Sequence, residues 1–166
     1  IVILIFATAF AGCSGYNKLL KSKDYDKMYE AAIDYYNKNK FDKAQQLFDE
    51  VSMYFQNTSK EDTIMYYWVA SYYKLGNFET SEIIFDRFRR QFGRSPFIED
   101  VEYMYAMGFY FSSPEPNRDQ TVTLQAMSAI NEYMERYPES IRRQLCLARI
   151  DELQNKLYDK AYLNAH

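Results

Sequence analysis

From Met65 to Phe92 the apolar residues recur at three- and four-residue steps in two runs, Trp68, Tyr72 and Leu75, then Phe78, Ile84 or Phe85, Phe88 and Phe92. That period puts each run on one face of a helix. Gly76-Asn77 separates the runs, and these residue types most readily take the left-handed backbone conformation that ends a helix. The stretch therefore predicts an amphipathic helical hairpin. Such a hairpin cannot cover its own apolar faces, so copies of it are expected nearby.

The copies are present. Phe41, Ala44, Phe48, Val51 and Phe55 match Phe78, Ser81, Phe85, Phe88 and Phe92 at a constant offset of 37 residues. Thr123, Ala126, Ile130, Tyr133 and Tyr137 form a third copy 45 residues further on, and Tyr158-Asp159-Lys160-Ala161 begins a fourth after another 35. Asn39 takes the place of the turn glycine in the first copy. Repeats of about 34 residues built as helix-turn-helix, with a small residue three after an aromatic and another aromatic four later, resemble the tetratricopeptide (TPR) family. The resemblance implies an all-α TPR superhelix of helix-turn-helix repeats, about three and a half of them present. The small residues (Ala44, Ser81, Ala126, Ala161) would sit where paired helices approach closely.

Taken in order, residues 1–12 (IVILIFATAFAG) read as the remnant of a signal peptide, too short to span a bilayer and ending in small residues. Phe10-Ala11-Gly12-Cys13 resembles the bacterial lipoprotein box, with Phe10 where Leu is usual. That resemblance implies cleavage before Cys13 and a diacylglycerol on its thiol; Ser14, in place of an inner-membrane retention Asp, favours the outer membrane. Residues 13–23 read as the lipidated cysteine and an extended tether, reaching up to about 30 Å at roughly 3.3 Å per residue. The repeats are expected at 24–57, 58–94 and 95–138, with a polar, double-proline insertion at 112–119 that maps to one edge of the repeat array. A fourth, at 139–166, is expected to break near Tyr158 and to be truncated at His166. Thr58-Ser59-Lys60-Glu61 reads as a capping box, and Ser95-Pro96 as the opening of another helix.

Composition narrows the chemistry. A net charge of −3 with only short basic runs, Arg87-Phe88-Arg89-Arg90 and Arg142-Arg143, argues against nucleic acid as a partner, and those runs read as solvated helix faces. A single histidine, at the last position, leaves no catalytic triad and no zinc spacing; no metal, cofactor or enzymatic activity is expected. Glu61-Asp62 and Glu99-Asp100 read as helix-start acids that complement the dipole. Cys146 reads as a small buried hydrophobe. With 17 tyrosines and 12 phenylalanines, a binding surface is the remaining possibility. Alignment with the TPR pattern implies that Tyr29, Ile33, Tyr36, Tyr66, Ala70, Tyr73, Met104, Gly108 and Phe111 face a concave peptide-binding groove. Each tyrosine there can instead pack against neighbouring helices.

The succession CSGYNKLLKS, YEAAIDYYNKNKFDKAQQLF, YYWVASYYKLGNFETSEIIFDRF, SSPEPNRDQT and YMERYPES resembles the BamD family, in particular its Bacteroidetes branch. The resemblance implies a lipid-anchored subunit on the periplasmic face of the outer membrane, within the β-barrel assembly (BAM) machinery. Its implied partners are a BamA-like barrel with POTRA domains, other BAM subunits and unfolded outer-membrane proteins; the BamA-docking repeats would lie mostly beyond His166. Two alternatives stay open: a TPR lipoprotein scaffold for another envelope process such as cell division, and a SusD-like glycan-binding lipoprotein, although those chains are much longer.

Overall fold

The computed structural model describes residues 10–164. Residues 1–9 of the expected signal remnant, and His166, lie outside the described residues. Among the described residues eight helices follow one another: α1 (Phe10–Ser22), α2 (Tyr25–Asn37), α3 (Phe41–Tyr54), α4 (Glu61–Lys74), α5 (Phe78–Gln91), α6 (Ile98–Ser112), α7 (Thr121–Arg136) and α8 (Arg143–Asn164). No strand occurs among the described residues, and none of their helices is long and apolar enough to cross a membrane. The fold is an all-α helical repeat of the TPR type. The chain parts into two compact units between Ser71 and Tyr72.

The repeat register read from the sequence is the register of burial. In α3 the buried set is Ala44, Leu47, Phe48, Val51 and Ser52; in α5 it is Ser81, Ile84, Phe85 and Phe88; in α7 it includes Ala126, Ala129, Ile130 and Tyr133. The three helices also end alike. Phe55, Phe92 and Tyr137 are the capping residues, and their N–H groups donate to the carbonyls of Val51, Phe88 and Tyr133. In each turn of the first two copies one residue takes the left-handed conformation, Asn39 at φ 56° and Gly76 at φ 73°. The α4 start uses the Thr58–Glu61 pattern in modified form: the Glu61 carboxylate accepts from the Asn57 N–H at 2.6 Å and Thr58 Oγ1 from the Lys60 N–H at 3.3 Å.

Three expectations are corrected. The stretch read as an extended tether is helical, and Tyr16 fastens α1 to α3. Its ring is buried, and its hydroxyl donates to the Lys43 carbonyl at 3.1 Å and to Gln46 Oε1 at 2.9 Å. Leu19 and Leu20 pack beside it on the core of this unit. The stripe Trp68, Tyr72, Leu75 is not the buried face of α4, which instead buries Ile64, Met65, Val69 and Ala70 while Leu75 is exposed. Trp68 stands partly buried because its indole N–H donates to the Asp49 carboxylate. Finally, α8 runs unbroken through Tyr158, so the fourth copy forms no hairpin. No glycine or proline follows Pro138 to break that helix, and Tyr158 and Tyr162 stand exposed on its last turns.

Candidate peptide-binding surfaces

In the first unit, helices α2 and α3 close on a core of Met28, Ala32, Ala44, Leu47, Phe48 and Val51. Of the residues expected to line a groove, Tyr29, Ile33 and Tyr36 pack on the margin of this core, half-buried. Tyr29 tilts against Phe55 with centroids 5.9 Å apart, and the Lys60 ammonium lies 5.1 Å from its ring centroid, so a cation already covers that face. Tyr36 meets Phe41 and Tyr67 edge-on at 5.2 and 4.9 Å, and Tyr66 meets Tyr67 in the same way at 5.1 Å. Ala70 is buried. These rings form an interlocked aromatic layer, packed on one another and on the core margin.

In the second unit, Tyr73, Phe78 and Phe111 make a three-ring cluster: Phe78 stacks on Phe111 at 5.6 Å with planes 15° apart, and Tyr73 lies edge-on to Phe78 at the same distance. Burial, with a smaller contribution from Tyr103, pushes the Tyr73 hydroxyl up to about 12. Met104 and Gly108 are buried. Phe111 is 54% exposed, the one residue of the expected nine that is largely open to solvent. The nine thus divide between the two units, five in the first and four in the second.

Sequence reasoning missed a cavity of about 240 Å³ between α5, α6 and α7. Phe78 and Phe85 of α5 and Tyr105 and Phe109 of α6 line it, with Val122 and Gln125 of α7 opposite. Gly108 belongs to its floor: the nearest atom to a Cβ built there is the Phe78 ring at 3.6 Å, so any longer side chain would fill the space. The signal available in the sequence was Gly108 itself, a glycine inside a helical pattern.

The helix-start acids do more than meet a dipole. Glu99 accepts hydrogen bonds from the Tyr133 hydroxyl at 3.0 Å and the Ser140 hydroxyl at 2.7 Å, Asp100 pairs with Arg142, and the Arg142 guanidinium stacks 4.7 Å from the Tyr103 centroid. This cluster ties the start of α6 to the α7–α8 turn. Burial works against the charge on Arg142, but hydrogen bonds with Tyr133 and Asp100 outweigh it and hold the guanidinium above its ordinary range. The almost fully buried Glu102 is met by Arg136 and, at 3.5 Å, by Arg89, which also lies over the Tyr105 ring. Arg89 and Arg142 are therefore structural pairs and not solvated faces. The 112–119 insertion is likewise held down: Ser113 bonds Thr123 at 2.8 Å, Lys156 donates to the Ser113 carbonyl at 3.2 Å, and the buried Gln120 amide donates to the carbonyls of Glu115 and Arg118. Cys146 is fully buried, as its apolar context implied, and burial pushes its thiol up. No cluster of metal-ligating side chains occurs among the described residues.

Comparison with known families identifies the repeat: the outer membrane lipoprotein family YfiO matches residues 21–165. The chain belongs to the YfiO family. The match spans every repeat and reaches into the C-terminal part of α1, and the family is the BamD-like one that the sequence resembled. A search among curated proteins found no match. The family is one of outer membrane lipoproteins with a scaffold character, and membership is consistent with outer membrane localisation and a role in outer membrane assembly.

Proposed function

We propose that this chain is a non-catalytic subunit of the β-barrel assembly machinery, anchored by a lipid on Cys13 to the periplasmic face of the outer membrane. The single observation that carries the reading is the family match over residues 21–165. It is joined by the lipoprotein-box residues Phe10-Ala11-Gly12-Cys13 at the head of the chain. On this reading a POTRA-bearing BamA-like barrel and the other BAM subunits are its stable partners. Unfolded outer-membrane proteins are its clients, engaged through the aromatic positions Tyr29, Ile33, Tyr36, Tyr66 and Ala70 of the first unit and Tyr73, Met104, Gly108 and Phe111 of the second. The 112–119 loop is a further edge for partner contact, and the stretches quoted above favour the Bacteroidetes form of the family. The backbone of Cys13 falls within α1. Because α1 is helical, a lipid at Cys13 is linked to Tyr16 by less than one helical turn, on the order of 5 Å at 1.5 Å per residue. The anchor then holds the first unit close to the bilayer.

The test is purification of the full-length tagged protein from native outer membranes in mild detergent, with mass spectrometry of what accompanies it. Recovery of a POTRA-bearing barrel in near-equal amount is the expected result. Recovery of division or nutrient-uptake proteins without that barrel would keep the lipoprotein and overturn the assembly role.

A further inference from the structure

We propose that the cavity between α5, α6 and α7 is a binding site for one aromatic or aliphatic side chain of an extended polypeptide, flanked in that polypeptide by lysine or arginine. Three observations carry it. The first is size: at about 240 Å³ it is smaller than the roughly 300–1,000 Å³ of small-molecule sites. It nonetheless exceeds the roughly 150 Å³ that suffices for a benzene ring. One side chain fits and a whole cofactor does not.

The second is lining. Four rings (Phe78, Phe85, Tyr105 and Phe109) line the space and give it the apolar wall that an aromatic or aliphatic side chain needs; Tyr105 stands edge-to-face with Phe109 at 5.0 Å, and Arg89 lies over its ring. Gly108 keeps the floor open, because a Cβ and anything beyond it would project toward Phe78.

The third is charge. Glu79 and Glu82 stand three residues apart on α5, both exposed and both at the cavity, and no lysine or arginine lines it. Neither carboxylate is in an ion pair among the described residues, whereas several others of the unit are matched: Asp86 with Arg90, Glu102 with Arg89 and Arg136, Glu99 and Asp100 with Arg142, Glu152 with Arg149; Glu132, also near Tyr105, accepts from the Ser128 hydroxyl at 3.2 Å and adds to the negative charge. The remaining rim groups, Ser112 and Gln125, are neutral. Two unmatched carboxylates beside an apolar pocket select a cationic, apolar-bearing segment and repel an acidic one. The recognition is that of a pocket for one anchor side chain with a charged rim, and it does not depend on the assembly role.

The experiment measures binding of three fluorescently labelled peptides to the full chain by anisotropy: Gly-Lys-Phe-Lys-Gly, Gly-Glu-Phe-Glu-Gly and Gly-Lys-Gly-Lys-Gly. The first is expected to bind at least tenfold more tightly than either control. The double variant Glu79→Gln/Glu82→Gln, at exposed positions that leave the fold intact, is expected to erase the preference for lysine over glutamate. Val122→Phe, which fills the cavity from α7, is expected to erase the preference for phenylalanine over glycine. Equal binding of the lysine- and glutamate-flanked peptides overturns the proposal, as does an unchanged preference in the double variant. Equal binding of the peptide without phenylalanine reduces the site to surface electrostatics and overturns it too. Absence of a barrel partner in the co-purification would sink the assembly role and leave this result standing.

Discussion

Gly76 offers a perturbation whose cost can be worked out almost from the backbone alone. Its φ is 73°, and a Cβ built there meets nothing within 4 Å, so Gly76→Ala introduces no clash with a neighbour. What remains is the intrinsic penalty of the left-handed conformation for a residue with a Cβ, roughly 1–2 kcal/mol. A smaller opposing term exists: alanine restricts the unfolded chain, which by itself favours folding by about 0.4–1 kcal/mol. The difference is a net destabilisation of about 1 kcal/mol. Gly76→Asn is expected to cost less, because asparagine tolerates this conformation and Asn39 occupies the equivalent turn at φ 56°. The reciprocal change, Asn39→Gly, is expected to be neutral or mildly stabilising. Urea titrations followed by circular dichroism read all three, with the transition of the second unit carrying the Gly76 effects. If Gly76→Ala is as stable as the parent, or Gly76→Asn is as costly as alanine, the conformational account of this turn is wrong.

Removing the Tyr16 hydroxyl (Tyr16→Phe) deletes two hydrogen bonds from α1 to α3, costs about 1 kcal/mol, and accelerates hydrogen exchange across α1 while leaving α6 and α7 unchanged. Phe85→Ala empties a position that is 1% exposed and is expected to cost about 3–5 kcal/mol, read as an early thermal transition. Arg142→Gln loses the contacts with Asp100, Glu99 and the Tyr103 ring. It is expected to cost about 1–3 kcal/mol and to raise exchange at the first turn of α6. In alkali, Tyr16, Tyr73 and Tyr137 share one direction, each lifted from 10.0 to about 12 chiefly by burial. The folded chain therefore holds these protons more tightly than the unfolded one. The stability they contribute is complete below pH 10 and falls as pH rises toward 12. Urea midpoints measured across that range should decline, and a flat profile would contradict the burial of these hydroxyls.

The helical repeat was legible in the chain because a helix that buries one face repeats its apolar residues at a fixed period, and a hairpin that repeats does so at a fixed offset. Phe48, Phe85 and Ile130 could be aligned, and all three are at most 1% exposed. Gly76 announced its turn because few other residues adopt its φ. Where several faces of one helix carry apolar residues, periodicity loses its force. On α4, aromatic residues outnumber the positions the core can take, and only packing decided that Ile64, Met65 and Val69 go inside while Trp68 turns its N–H to Asp49.

Charged residues show the same limit. Arg89 and Arg142 read as solvated surface in the sequence, and Glu99 as a helix-start acid, because their partners are brought together from distant parts of the chain. The stretch read as a tether is held instead by Tyr16, which reaches 27 residues along the chain to Lys43, with Leu19 and Leu20 packed beside it. The sequence by itself determined the helical class, the repeat register and the turn conformations, all of them local or periodic properties. The tertiary structure alone decided which aromatic rings are core, which carboxylates remain unmatched, and that a cavity opens over Gly108, because each depends on groups brought together from different helices.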